Sequence, residues 1–331
     1  MKRLTMQEAV VDGIAEEMRR DRDVFIMGLD IGRFGGPLHS CKGLWEEFGA
    51  SGRVIDTPIS EGGIVGAGVG AALAGKRPIV DIMFLEYLPL VIQQLGCDGG
   101  AMHYYSDGKA RVPLVVRAKY GVGPFHGHVY DYHSWLMHTP GVKIVVPANA
   151  RDAKGLMKAA IRDDSPVLFM EHMGLYHGQR DAIPDEDTVV PIGRASVSRA
   201  GRDVTVVASA AMVRKALAAA QTLAADGIEI EVIDLRSIVP LDTEAIIESV
   251  TRTGHLVIVD EDYQSFGLSG EIAARIAERY RTEGELRSLA LDIMPVAGLL
   301  AESARTLREA EFAAFRQLAR LDRFDRDRML V

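Results

Sequence analysis

Cysteine is nearly absent from this chain of 331 residues: Cys41 and Cys97 are far apart and outside any Cys-x-x-Cys spacing. That excludes a disulfide framework and fits a reducing compartment. An excess of basic charge is also lacking. The formal net charge is -8, and the charges are interspersed apart from a tail of both signs around Arg320–Arg328, so no concentrated basic surface awaits a phosphate backbone. No run approaches the roughly 20 apolar residues that a bilayer crossing needs. The start, Met1-Lys2-Arg3-Leu4-Thr5, leads into charged residues instead of an apolar signal core. The expectation is a cytoplasmic protein that engages neither nucleic acid nor membrane.

What is present is a repeated alternation of short apolar runs and amphipathic stretches. Thr5 and Glu8 have capping-box spacing, and Val10, Ile14 and Met18 follow on one helical face. Val24–Met27 reads as a buried strand, and similar runs recur at Ile79–Phe84, Pro113–Arg117, Val142–Val146 and Val167–Met170. Helical patterns at Gly62–Ala74, Leu88–Tyr104 and Asp152–Ile161 separate them. Strands without polar alternation, spaced by helices, predict an α/β fold with a mainly parallel sheet covered on both faces. After the polar stretch His177–Asp187 a smaller α/β pattern begins, with strands at Val204–Ala208, Ile228–Ile233 and His255–Asp260. The domains are therefore expected at 1–187 and 188–331.

The segment with most chemical promise is Asp56-Thr57-Pro58-Ile59-Ser60-Glu61-Gly62-Gly63-Ile64-Val65-Gly66-Ala67-Gly68-Val69-Gly70. Its spacing is neither a dinucleotide fingerprint nor a P-loop. The glycines serve either to cradle a ligand or to let a helix pack tightly. Glu61 likewise has two readings: a carboxylate complementing a helix dipole, or one that controls protonation of a bound cofactor.

Arg53–Glu61 resembles the β subunit of the thiamine-diphosphate-dependent, decarboxylating component of 2-oxo-acid dehydrogenase complexes. So do Ala72–Val80, Gly141–Pro147, Asp152–Leu156, Ala160–Asp163, Val232–Arg236 and Pro240–Thr243, in the same order along the chain. The resemblance implies a pyrimidine-binding domain followed by a transketolase-type C-terminal domain. Glu61 then matches the glutamate that contacts N1′ of the cofactor's aminopyrimidine and tunes its protonation. Ile59, Met83 and Tyr87 match positions around that ring, although Met83 and Tyr87 also read as the plain end of a buried strand.

Counting back from Trp135 and His138-Thr139-Pro140-Gly141 places His128 at the family's active-site histidine. An imidazole titrates near neutrality and suits proton exchange during acyl transfer. The family continues with Ser-Gln, whereas Val129-Tyr130 follows here, so substrate or acyl acceptor is open. His126, His133 and His138 complete a histidine-rich stretch without the spacing of a compact zinc motif. The family's structural potassium ion, held mainly by carbonyls, maps to Leu114, Ala160, Ile161, Asp163 and Ser165; a simple helix-ending turn competes with that reading. No diphosphate and Mg2+ motif is found, since Cys97-Asp98-Gly99-Gly100 lacks its context. The resemblance therefore implies an α-type subunit supplying Mg2+ and diphosphate binding in an α2β2 heterotetramer. It also implies pairing with a second β subunit and docking of a lipoyl-bearing acyltransferase core. Pyruvate, branched-chain 2-oxo acids and acetoin, the last cleaved and not decarboxylated, are the candidate substrates; a split transketolase-like enzyme and a noncatalytic scaffold are the alternatives.

Overall fold

The first helix begins where Thr5 and Glu8 put it. In the computed structural model, which describes residues 1–123, 127–263, 265–282 and 293–297, the Thr5 hydroxyl accepts from the Glu8 amide at 3.2 Å. The Glu8 carboxylate accepts from the Thr5 amide at 2.9 Å, closing the capping box. His126 and the tail Arg320–Arg328 lie outside the described residues.

Strand β1 (Lys2–Leu4) precedes that helix, α1 (Met6–Arg20), and β2 (Val24–Gly28) follows it. Next come α2 (Leu44–Phe48), β3 (Val54–Asp56), α3 (Glu61–Leu73) and β4 (Arg77–Phe84). The chain continues through α4 (Met102–Tyr105), β5 (Val115–Tyr120), α5 (His133–Met137), β6 (Lys143–Val145) and α6 (Ala150–Arg162). Then follow β7 (Val167–His172), α7 (Met173–Tyr176), β8 (Asp181–Ile183), β9 (Ser196–Arg199) and β10 (Val204–Ala208). The remainder is α8 (Ala210–Ala224), β11 (Ile230–Asp234), β12 (Ser237–Val239), α9 (Thr243–Thr253), β13 (Leu256–Asp260), α10 (Leu268–Thr282) and β14 (Ile293–Ala297).

These elements form two units. One comprises Met1–Arg194 with Arg236–Pro240; the other starts at Ala195 and resumes at Leu241. Among the described residues the first unit has a seven-stranded sheet in the order β12-β6-β7-β5-β4-β2-β3, parallel except for β12 against β6. β5 and β7 are buried along their whole length, as a sheet covered on both faces requires. In the second unit the order is β14-β13-β10-β11-β9, parallel except for β9. Both are α/β sheets.

Two local differences from the sequence pattern have physical causes. Leu88–Tyr104 is not one helix: a 3-10 turn spans Leu85–Leu90, a wide π-type turn spans Gln93–Gly100, and α4 follows. Pro89 has no amide hydrogen to donate, and the glycines beyond it touch their surroundings. A Cβ on Gly96 would stand 2.7 Å from Thr139 Cγ2, and one on Gly100 would stand 2.9 Å from Val142 Cγ2. The second difference is β5, which runs past Arg117 to Tyr120 because Arg117 and Lys119 find charged partners inside the core.

Candidate active site

Parallel strands point their carboxyl ends to one side of the first sheet, and the loops leaving β3, β4 and β5 gather the candidate residues there. Leaving β3, Asp56 accepts the Gly32 amide at 2.7 Å, so this carboxylate braces a loop. Thr57 donates its amide to Gly28 at 3.0 Å, while its buried hydroxyl has no hydrogen-bond partner. Ser60 makes no side-chain cap, and Glu61 takes the first position of α3, where the helix dipole favours its negative charge. Two residues earlier, Ile59 is 74% exposed.

Of the two readings offered by the sequence for the glycines of α3, close packing is visible at Gly68. Gly68 faces inward, where a Cβ would come within 2.9 Å of Val80 Cγ1 and 3.0 Å of Leu114 Cδ1. Its role is close packing on β4 and β5. Gly63 and Gly70 face outward, with Gly70 in open space.

β4 delivers the facing side of the site. Met83 adopts a φ of +66°, a left-handed conformation that L residues seldom take. The Asp81 carboxylate accepts the Met83 amide at 2.8 Å and holds that turn. The register between β4 and β5 shifts at this place. Phe84, Glu86 and Tyr87 thereby leave the strand on its carboxyl side. The Tyr87 phenol is pushed up from its ordinary value, by burial first and then by the negative charges of Glu86 and Glu61. Tyr87 thus stays a neutral hydroxyl at physiological pH, within the field of the Glu61 carboxylate.

His128 reaches the same cluster from the loop after β5. Its Nδ1 and a Glu86 carboxylate oxygen form a hydrogen bond. Its ring stacks on Phe84 with centroids 3.9 Å apart and planes 7° from parallel, and meets Tyr87 edge-on at 5.9 Å. The structure therefore brings together His128, Tyr87 and the β4 end carrying Met83, with Glu61 acting electrostatically on Tyr87. Glu86 belongs to this group although the sequence pattern did not single it out. Its one signal was position, an acidic residue in the first turn after an apolar strand.

Below the cluster lies a fully buried ionic network that the sequence analysis also passed over. Lys119 donates to both oxygens of Asp81 at 2.8 Å, and Arg117 forks onto Glu171 at 2.8 and 3.0 Å. Arg117 also donates to the Ser40 carbonyl at 3.2 Å. Burial alone raises the Asp81 carboxyl, but Lys119 and Arg117 overcome this and hold it below the ordinary range. Charged residues inside the apolar runs of β4, β5 and β7 were the available clue.

The other histidines separate. His133 is buried and pairs through Nδ1 with Asp131 at 2.6 Å, whereas His138 is exposed. Among the described residues no group of three or more His, Cys, Asp or Glu side chains is arranged for a metal ion. The carbonyl-bearing set collects at the opposite, amino end of the sheet. There Arg77 donates to the carbonyls of Ile161 and Asp163, each at 3.0 Å, and to the Asp164 carboxylate at 2.8 Å. The Leu114 carbonyl accepts from Val167, the Ala160 carbonyl from Asp163, and the Ser165 amide donates to the Asp163 carboxylate.

Comparison with known proteins follows the same division. The family described as "Transketolase, pyrimidine binding domain" matches residues 2–179, and "Transketolase, C-terminal domain" matches residues 193–306. The chain is 40% identical to the 2-oxoisovalerate dehydrogenase subunit beta of Bacillus subtilis, over 94% of this chain and 97% of that one. It is 43% identical to the pyruvate dehydrogenase E1 component subunit beta of Rhizobium meliloti, over 84% of this chain and 61% of that one. Among solved structures, a protein titled "Split gene transketolase, inactive beta4 tetramer" superposes with a TM-score of 0.75 at 22% identity, covering 95% of this chain and 98% of that one, which is a likeness of fold. With two matched domains in order and relatives of this identity, the chain belongs to the transketolase-type pyrimidine-binding family, in the group that holds the β subunits of 2-oxo-acid dehydrogenases.

Proposed function

We propose that this chain is the β-type subunit of a thiamine-diphosphate-dependent 2-oxo-acid dehydrogenase, completing an active site shared with an α-type subunit. One observation carries this reading: Tyr87, which feels the charge of the helix-terminal carboxylate Glu61, belongs to an aromatic cluster that also holds a hydrogen-bonded histidine. A carboxylate next to flat apolar faces suits an aminopyrimidine, which offers a ring nitrogen for a shared proton and a π-face for stacking. The unpartnered Thr57 hydroxyl adds a spare polar group on the same loop.

Bound thiamine diphosphate supplies the electron sink that cleavage of a carbon–carbon bond beside a ketone requires. This chain's residues hold the pyrimidine end and move protons. Glu61 shares a proton with ring nitrogen N1′ of the cofactor, Tyr87 presents an apolar face, and Ile59 and Met83 complete the lining. His128 exchanges a proton with the substrate and helps the acyl group pass to its acceptor. The leading acceptor is a protein-bound lipoyl group on an acyltransferase core.

Mg2+ and the diphosphate belong to the α-type subunit in this reading, within an α2β2 heterotetramer containing a second β subunit. No helix among the described residues is long and apolar enough to cross a membrane; the place we propose, the cytoplasm, suits the two free thiols Cys41 and Cys97. A structural K+ is supported less. Four of the five residues proposed to hold it, Leu114, Ala160, Ile161 and Asp163, have carbonyls that already accept hydrogen bonds, two of them from Arg77, so K+ would have to use the remaining lone pairs.

A ketol-transferring, split transketolase-like enzyme is the second reading. It is favoured by the aromatic stack beyond His128, where Tyr130 lies parallel to Tyr132 at 5.6 Å and Tyr132 meets Trp135 at 5.2 Å. The test is turnover of a panel of 2-oxo acids and acetoin by this chain co-expressed with its α-type partner, using an artificial electron acceptor. Thiamine-dependent turnover that needs both chains supports the proposal and names the substrate. A stable, cofactor-loaded complex that turns over none of them, but accepts a ketose donor, overturns it in favour of ketol transfer.

A further inference from the structure

We propose that Glu86 is a positioning residue that holds His128 in the tautomer protonated at Nδ1, so that Nε2 is the nitrogen offered for proton exchange. The inference rests on the reading of His128 given above and adds to it a residue and a protonation geometry. An ionised carboxylate only accepts hydrogen bonds, so in the contact between His128 Nδ1 and Glu86 the ring nitrogen donates. A neutral imidazole carries one N–H, and fixing it at Nδ1 leaves the lone pair on Nε2.

Three restraints act on the ring together. Glu86 sets its rotation, Phe84 stacked at 3.9 Å sets its plane, and the Tyr87 edge limits its tilt. Burial strengthens the arrangement, since the His128 and Glu86 side chains are only 33% and 20% exposed. His128 also has a φ of +60°, and such a conformation in a non-glycine residue costs energy that surrounding contacts must supply. Glu86 in turn depends on the turn at Met83, which the buried Asp81–Lys119 pair secures.

The logic is that of any base oriented by a third group: the carboxylate chooses the tautomer and stabilises the imidazolium formed when Nε2 takes a proton. Neither step consumes the carboxylate. Glu86 itself touches no reacting atom, which distinguishes it from Glu61 and His128. Replacing it should therefore alter kcat while leaving substrate affinity alone.

The experiment compares the wild-type complex with Glu86→Gln and Glu86→Asp, each assembled with the α-type partner. Nitrogen-15 spectra of labelled histidines, with the His128 signals assigned by their loss in His128→Gln, report the tautomer directly. In the wild type we expect one dominant form with a protonated Nδ1. Glu86→Gln, whose amide is able to donate to Nδ1, should shift the population towards protonated Nε2, and kcat should drop roughly 10²-fold or more at unchanged KM. Glu86→Asp should retain the original tautomer and much of kcat. An unchanged tautomer in Glu86→Gln overturns the inference even where activity falls. A shifted tautomer with wild-type kcat supports the contact and counts instead against the role assigned to His128.

Discussion

At the level of single residues the site depends on where charge is held. Glu61→Gln keeps the size and the helix position but cannot share a proton in the same way. The expected outcome is an unchanged melting temperature with kcat lowered by roughly 10²–10⁴-fold, the range for loss of a general acid or base. Near-normal turnover in that variant would remove Glu61 from the mechanism. The buried pair beneath the site makes a second expectation. Lys119→Met strands the Asp81 charge beside a single remaining cation, Arg117, at 3.5 Å. Breaking a buried pair on one side costs about 3–5 kcal/mol, whereas replacing both partners by apolar groups of similar volume is often close to neutral. Chemical denaturation should therefore show the single variant Lys119→Met weaker than the double variant Lys119→Met with Asp81→Leu. At this scale the sequence singled out the residues with a family position, Glu61, Tyr87 and His128. It did not disclose Glu86, Asp81 or Lys119, because their roles arise from contacts across 38 to 42 positions in the chain. A lone charge in an apolar run says that a partner exists without saying which.

At the level of elements, periodicity found α1, α3, α6 and the central strands, since each has a buried face that its sequence must repeat. It did not find the break within 88–104, where the pattern is helical but steric contact decides. Nor did it find β12, a three-residue strand whose pairing with β6 is set by the distant chain and not by its own composition. Gly141 shows how strongly such contacts act. Its φ is +92°, and a Cβ there would stand 2.0 Å from the carbonyl oxygen of Gly100. The left-handed backbone alone costs an alanine roughly 1–2 kcal/mol, and overpacking typically adds about 1–3 kcal/mol. Gly141→Ala should therefore melt clearly lower than the wild type. It should also disturb the loop carrying His128 more than α3, which hydrogen exchange resolved by segment will read. Protection lost equally along all of the first unit would mean that the contact between Gly100 and Gly141 has no local role.

At the scale of the whole molecule, acid and partner dependence are the two properties that the separate residues add up to. Burial raises the carboxyls of Glu8, Asp12, Glu16 and Asp81, but the Thr5 amide and then Arg180 at Glu8, and lysine or arginine partners at the other three, outweigh it and leave each below its ordinary value. A carboxylate depressed in the folded state stabilises the fold above its unfolded value, about 4, and that contribution is lost as pH falls through the folded value. The melting temperature should hold between pH 7 and 5 and drop steeply below about 4; Asp12→Asn should shallow that drop. The partner dependence is the larger question. The described residues bring aromatic rings and carboxylates together, which suits the pyrimidine end of the proposed cofactor, and the proposal gives its Mg2+ and diphosphate end to the α-type partner. Most of the affinity for a diphosphate comes from its negative charge and its metal ion; the carboxylates Glu61 and Glu86 repel the first, and the proposal gives the second to the α-type partner. Calorimetric titration of thiamine diphosphate with Mg2+ should therefore give no measurable heat with this chain alone and saturable binding once the α-type partner is present. Saturable, Mg2+-dependent binding by the isolated chain would place a complete site within it, and the shared-site assignment would fail.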